Sequence, residues 1–150
     1  MKKLRIYIDT SIIGGCLDEE FAEPSNALLE MARTGKVNLL LSELLAEEIR
    51  EAPENVREIL ASLSGDFVEE FPITTEALEL RGDYLRAGVL GAASADDALH
   101  VALATIAHAE MIVSWNFKHI VHYEKIRGFN AVNLLKGYPQ IEIRSPREVV

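Results

Sequence analysis

Five short apolar runs, near residues 4–8, 37–41, 67–71, 111–114 and 141–143, recur along the 150-residue chain, with amphipathic helical stretches between them. That alternation is the pattern of an α/β domain with a mainly parallel sheet. Helices are expected near 11–17, 24–34, 42–52, 54–64, 74–87, 95–108 and, with a break, 117–136. Pro24, Pro53 and Pro72 punctuate element starts, and Gly35, Gly65 and Gly137 punctuate ends. Neither a repeat nor a long linker interrupts the pattern, and 49% hydrophobic content lets residues 1–150 bury one ordinary core as a single domain.

Three carboxylates interrupt the apolar patterns: Asp9 after Leu4-Arg5-Ile6-Tyr7-Ile8, Glu48 within Ser42–Ile49, and Asp97 in Ser94-Ala95-Asp96-Asp97-Ala98-Leu99-His100. Burying a carboxylate is unfavourable unless a positive group pairs with it. Hard divalent cations, magnesium or manganese, are the usual partners of clustered oxygen ligands. On a helix Leu44, Leu45, Ile49 and Ala52 form one apolar arc, and Glu48 falls inside it, while Glu43, Glu47 and Arg50 share the opposite side. The blander account puts Glu48 at the arc's edge with its head in solvent.

Each candidate has a structural competitor. Asp9-Thr10-Ser11 lies between a strand and a helix, where any of the three is a suitable cap. Ser94-x-x-Asp97 is spaced like a capping box, and acidic residues favour a helix start. Asp97 also heads the stripe Asp97, His100, Val101, Ala104, opposite the apolar stripe Leu99, Ala102, Leu103, Ile106, so the helix is expected to border a cleft, with Asp96 the cap and Asp97 the ligand. His100, one turn from Asp97, is expected to support a ligand carboxylate, and His108 to be an ordinary surface residue. Asn116 either caps a helix or holds water at a metal, and Lys118 or His119 either packs locally or contacts phosphate.

The net charge is −9, unevenly spread: 9 basic and 21 acidic side chains give −12 over residues 1–110, whereas 6 basic and 3 acidic give +3 over residues 111–150. An anionic polymer is tolerated best in that last quarter. One cysteine, Cys16, excludes an internal disulfide and a cysteine-based zinc site. With no membrane-length apolar run and no signal-like start, a soluble, cytoplasmic protein is expected.

The order of Ile8-Asp9-Thr10-Ser11, Ser42 followed by Glu48-Ile49, Asp97-Ala98-Leu99-His100-Val101-Ala102 and Ser114-Trp115-Asn116 resembles the PIN domain family, which includes VapC-type toxin ribonucleases. The likeness spans essentially the whole chain. It implies a three-layer α/β/α fold with a short parallel sheet, frequent homodimers, single-strand-directed ribonuclease activity needing magnesium or manganese, and an antitoxin partner. Many members carry a further acid three positions after the residue matching Asn116, where this chain has His119.

Phosphodiester hydrolysis needs an activated water and relief of charge at phosphate, which a divalent ion on Asp9, Glu48 and Asp97 supplies. Asn116 and Ser11 are expected to orient water or phosphate, and Lys118 and His119 to contact substrate, here single-stranded or loop RNA. Two other readings compete. Aspartyl-phosphate chemistry requires a second acid two positions after Asp9, where Ser11 stands. The other is a catalytically silent PIN-like module that binds RNA or protein.

Overall fold

A computed structural model describes residues 2–150. Five strands, β1 (Leu4–Ile8), β2 (Val37–Ser42), β3 (Val68–Phe71), β4 (Met111–Val113) and β5 (Glu142–Arg144), form one sheet in the order β3-β2-β1-β4-β5. Every pairing is parallel. The chain builds outward from β1 through β2 to β3, then crosses back to place β4 on the other side of β1. The strand order therefore reverses between β1 and β4, and in open α/β sheets the carboxyl edge at such a reversal is a ligand crevice.

Seven α-helices cover the sheet: α1 (Thr10–Gly15), α2 (Ala22–Arg33), α3 (Glu43–Ile49), α4 (Glu54–Ala61), α5 (Thr75–Arg86), α6 (Ala95–Ile106) and α7 (Tyr123–Leu135). Side chains alternate across a strand, so each strand feeds two cores. Ile6, Ile8, Leu39, Leu41 and Val113 pack with residues of α1 to α3. Tyr7, Leu40, Ile112 and Ile143 pack with α5, α6 and α7 on the opposite face. The result is three layers, α/β/α. Helix α3 lies at the sheet's end and contributes to both cores, Leu44 to the second and Leu45 to the first.

Several local expectations are corrected. The stripe His100, Val101, Ala104 does not border a cleft: all residues from Ala98 to Thr105 are buried. Small side chains there let α6 sit close between the sheet and α5, and only its first turn opens to solvent. Ser94, not Asp96, is the N-cap residue of α6, and no side chain caps it, so neither an Asp96 cap nor an Asp97 capping box forms. The segment after Asn116 is a turn, with Ile120 N–H and Val121 N–H both donating to the Asn116 carbonyl, and α7 begins only at Tyr123. Helix α3 ends at Ile49, short of residue 52, with Ser42 accepting from Leu45 N–H as its cap. As expected, His108 is exposed. Among the described residues no helix is long and apolar enough to cross a membrane.

Candidate functional site

Asp9 directly follows β1 at the sheet reversal, in extended backbone and only 4% exposed. Its carboxylate does not cap α1. Two serines hold it instead. Ser11 Oγ donates to Oδ1 at 2.6 Å and Ser114 Oγ donates to Oδ2 at 2.7 Å. Each serine is itself fixed by a backbone N–H of the loop after β4, Trp115 N–H on Ser11 Oγ and Asn116 N–H on Ser114 Oγ, both at 2.9 Å. The two arms orient the carboxylate from opposite sides. Burial pushes the Asp9 carboxyl above its ordinary range; the charge of His100 and the two serine hydrogen bonds oppose that, and the charge of Asp97 adds to it. No lysine or arginine pairs with Asp9 among the described residues.

Glu48 projects from α3 toward α6. Its Oε1 accepts from Thr10 Oγ1 at 2.5 Å and lies 2.6 Å from His100 Nε2. Behind it runs a buried chain, with His100 Nδ1 2.5 Å from the Tyr7 hydroxyl and that hydroxyl 3.0 Å from Ser42 Oγ. A carboxylate only accepts, so Nε2 carries a hydrogen and donates it to Glu48. The Tyr7 hydroxyl bridges Nδ1 and Ser42 Oγ, and Ser42 Oγ also accepts from Leu45 N–H, so every group in the chain has a partner. Burial raises the Glu48 carboxyl, but the hydrogen bond and charge of His100 together with Thr10 outweigh it and leave it below the usual range.

Asp97, in the first turn of α6, pairs with His119 through Oδ2 and Nδ1 at 2.8 Å, and His119 Nε2 lies 3.4 Å from Ser94 Oγ. His119, where the resemblance calls for an acid, thus sits at the same corner as a partner of Asp97. Asn116 Oδ1 accepts from His119 N–H, so Asn116 caps the turn that carries His119. Lys118 is exposed. The seven sequence-derived residues converge on one sheet edge, but their roles differ in kind: Asp9, Glu48 and Asp97 supply carboxylates, Ser11, Asn116 and His119 hold neighbours, and Lys118 faces solvent.

A PIN domain profile matches residues 5–118. The chain belongs to the PIN domain family. Among solved structures this PIN domain resembles VapBC2 from Rickettsia felis bound to a DNA fragment from their promoter, with a TM-score of 0.58 and 15% identity over 95% of this chain and 98% of that one. It also resembles VapC20 from Mycobacterium tuberculosis, a sarcin-ricin loop cleaving toxin, with a TM-score of 0.56 and 14% identity over 76% of this chain and 92% of that one. No curated protein matches the sequence.

Whether the PIN domain's residues fit a divalent cation divides into chemistry and geometry. The donors are hard oxygens, and Asp9 is a buried carboxylate with no cationic side chain paired to it, so the charge balance calls for a cation. The side chains do not form a finished cage: among the described residues no three His, Cys, Asp or Glu are grouped to hold a metal. Glu48 is turned onto Thr10 and His100, and Asp97 onto His119. Their second oxygens, Glu48 Oε2 and Asp97 Oδ1, make no hydrogen bond among the described residues. Four contributors carried no site role in the sequence reading: Ser114 and Thr10, which hold Asp9 and Glu48, Tyr7, which holds His100, and Ser42, which holds Tyr7. Thr10, Ser42 and Ser114 stood there only as a cap candidate or as motif residues, and Tyr7 only as part of an apolar run.

Proposed function

We propose that this PIN domain is a divalent-metal-dependent endoribonuclease that hydrolyses phosphodiester bonds of single-stranded or loop RNA, as the toxin of a toxin–antitoxin pair. The observation that carries the reading is the Asp9 carboxylate, buried without a cation at the strand-order reversal and held at both oxygens by serines. Asp9 and Asp97 would hold magnesium or manganese, with Glu48 Oε2 completing the set; when bound, the ion supplies Lewis acidity at the phosphate. Ser11 and Ser114 keep Asp9 aimed. Glu48 is kept ionised by His100 and Thr10, which leaves Oε2 a charged donor for the ion. Asn116 has its amide Nδ2 unused by the turn and donates to phosphate, and Lys118 contacts a flanking phosphate. An acidic surface over residues 1–110 disfavours a stiff duplex, which must align many charges, more than a flexible strand.

A second reading, a PIN domain that binds RNA or protein without cutting, draws on the His119–Asp97 pair, which engages one acid. The deciding experiment incubates an RNA hairpin and its DNA counterpart with the protein in manganese or chelator, followed by end-group analysis and thermal melting. Metal-dependent loop cleavage, a higher Tm with manganese and loss of that increment in Asp97→Asn are expected. Cleavage in chelator or 2′,3′-cyclic phosphate ends contradict metal-dependent hydrolysis, a preference for duplex DNA overturns the substrate assignment, and metal binding without cleavage favours the silent module.

A further inference from the structure

The loop after β4 sends Ser114 and the backbone of Trp115 and Asn116 toward Asp9, and His119 toward Asp97, yet its middle residue does neither. Phe117 stands in a tight turn, its N–H donating to the Trp115 carbonyl at 2.9 Å, with the residue 46% exposed. The ring has a firm backing. It meets the Trp115 indole edge-on, centroids 6.1 Å apart at 66°. Trp115 is only 6% exposed, stacked on Phe21 at 4.1 Å and 22°, and its Nε1–H donates to the buried Ser25 Oγ at 2.7 Å. The Arg147 guanidinium covers the indole at 4.9 Å. One side of Phe117 is therefore fixed on an ordered aromatic base while the other is open to solvent.

Its flanks select the occupant. Asn116 and Lys118, an exposed cation with no ion pair among the described residues, flank Phe117 in the chain, and residues 111–150 carry +3 in an otherwise acidic protein. A ligand with a flat π face joined to an anion matches an aromatic ring beside a cation; an apolar peptide face does not call for the lysine. We propose that Phe117 is a base-stacking subsite, taking one nucleobase of a single-stranded RNA next to the phosphate at Asp9, with Lys118 on the adjoining phosphate. The inference rests on the nuclease reading for the position of that phosphate. Stacking is sequence-tolerant, since every base has a π face, so the subsite sets register along the strand.

The test measures binding by anisotropy of a labelled single-stranded RNA, and by fluorescence of Trp115, the only tryptophan, with calcium in place of manganese. A set of the same RNA carries one abasic site walked along its length. Phe117→Ala is expected to weaken binding about 5- to 100-fold and Phe117→Leu similarly, while Phe117→Trp retains it. One abasic position should weaken wild-type binding by the same factor and leave Phe117→Ala binding unchanged. Lys118→Ala should lower the salt slope of binding by about one. Melting curves confirm folding, since an exposed ring contributes little to stability. Equal RNA binding by wild type and Phe117→Ala overturns the subsite and leaves the face to a protein partner; so does full retention in Phe117→Leu, or the same abasic loss in both proteins. Coupling without cleavage keeps the subsite and removes the nuclease reading, whereas cleavage without coupling does the reverse.

Discussion

Tyr7→Phe deletes one oxygen from the chain that ends on Glu48, and its effect follows from what each neighbour keeps. Ser42 retains the Leu45 N–H and loses one ordinary hydrogen bond, about 0.5–1.5 kcal/mol. His100 is 2% exposed, so Nδ1 is left with neither water nor protein, at about 1–3 kcal/mol. Phenylalanine keeps the ring packing against Phe71, centroids 6.0 Å apart, so no cavity opens. The sum is about 1.5–4.5 kcal/mol, and in a domain of 150 residues, where each kcal/mol moves Tm by about 2–4 °C, a fall of about 3–18 °C is expected. Under the nuclease reading, activity should fall about 10- to 100-fold, as when a residue supporting a metal ligand is lost, because His100 no longer holds Glu48 in one orientation. Circular-dichroism melts and initial cleavage rates are the assays, with ¹⁵N shifts of the His100 ring as a third readout. A variant melting within about 2 °C of wild type, with unmoved ring nitrogens, refutes the hydrogen-bonded chain from Ser42 to Glu48.

Three further outcomes are expected. Asp9 has a folded pKa above its unfolded one through burial, so its contribution to stability is present below the unfolded value and lost as pH rises through the folded one. In chelator, Asp9→Asn should therefore gain on wild type as pH climbs from about 4 to 7, and a difference that shrinks over that window sinks the argument. Glu48→Gln should sharply lower cleavage and Glu47→Gln change it little, since only Glu48 meets His100 and Thr10; equal losses would show that orientation is not what matters. A Cβ on Gly15 would lie 2.6 Å from Ser25 Oγ and 2.8 Å from Trp115 Nε1. Gly15→Ala should destabilise by about 1–3 kcal/mol and shift Trp115 emission, and a variant as stable as wild type with unchanged emission speaks against a tight fit there.

All five strands were legible because apolar runs bounded by turn residues carry their own signal. Glu48 was legible as an acid in an apolar arc, although the arc ran past the true end of α3. What stayed hidden depended on contacts distant in sequence. Ser11 read as a substrate contact because nothing local says that Ser114, 103 positions away, would hold the other oxygen of the same carboxylate. The α6 stripe read as a cleft because small residues suit an open groove and a tightly packed helix equally. His119 read as a missing acid, since its pairing with Asp97 depends on the turn that Asn116 closes.

Helix α3 places consecutive leucines in opposite layers, Leu44 with α5 and α6, Leu45 with α1 and α2. It is a two-sided wedge. Turning it about its axis to advance one leucine withdraws the other, so its angular setting is locked by the volume on both faces of the sheet. Glu48 inherits that setting, and Glu48→Asp leaves a gap that rotation cannot close. Repacking either layer, far from any carboxylate, acts on the site as torque.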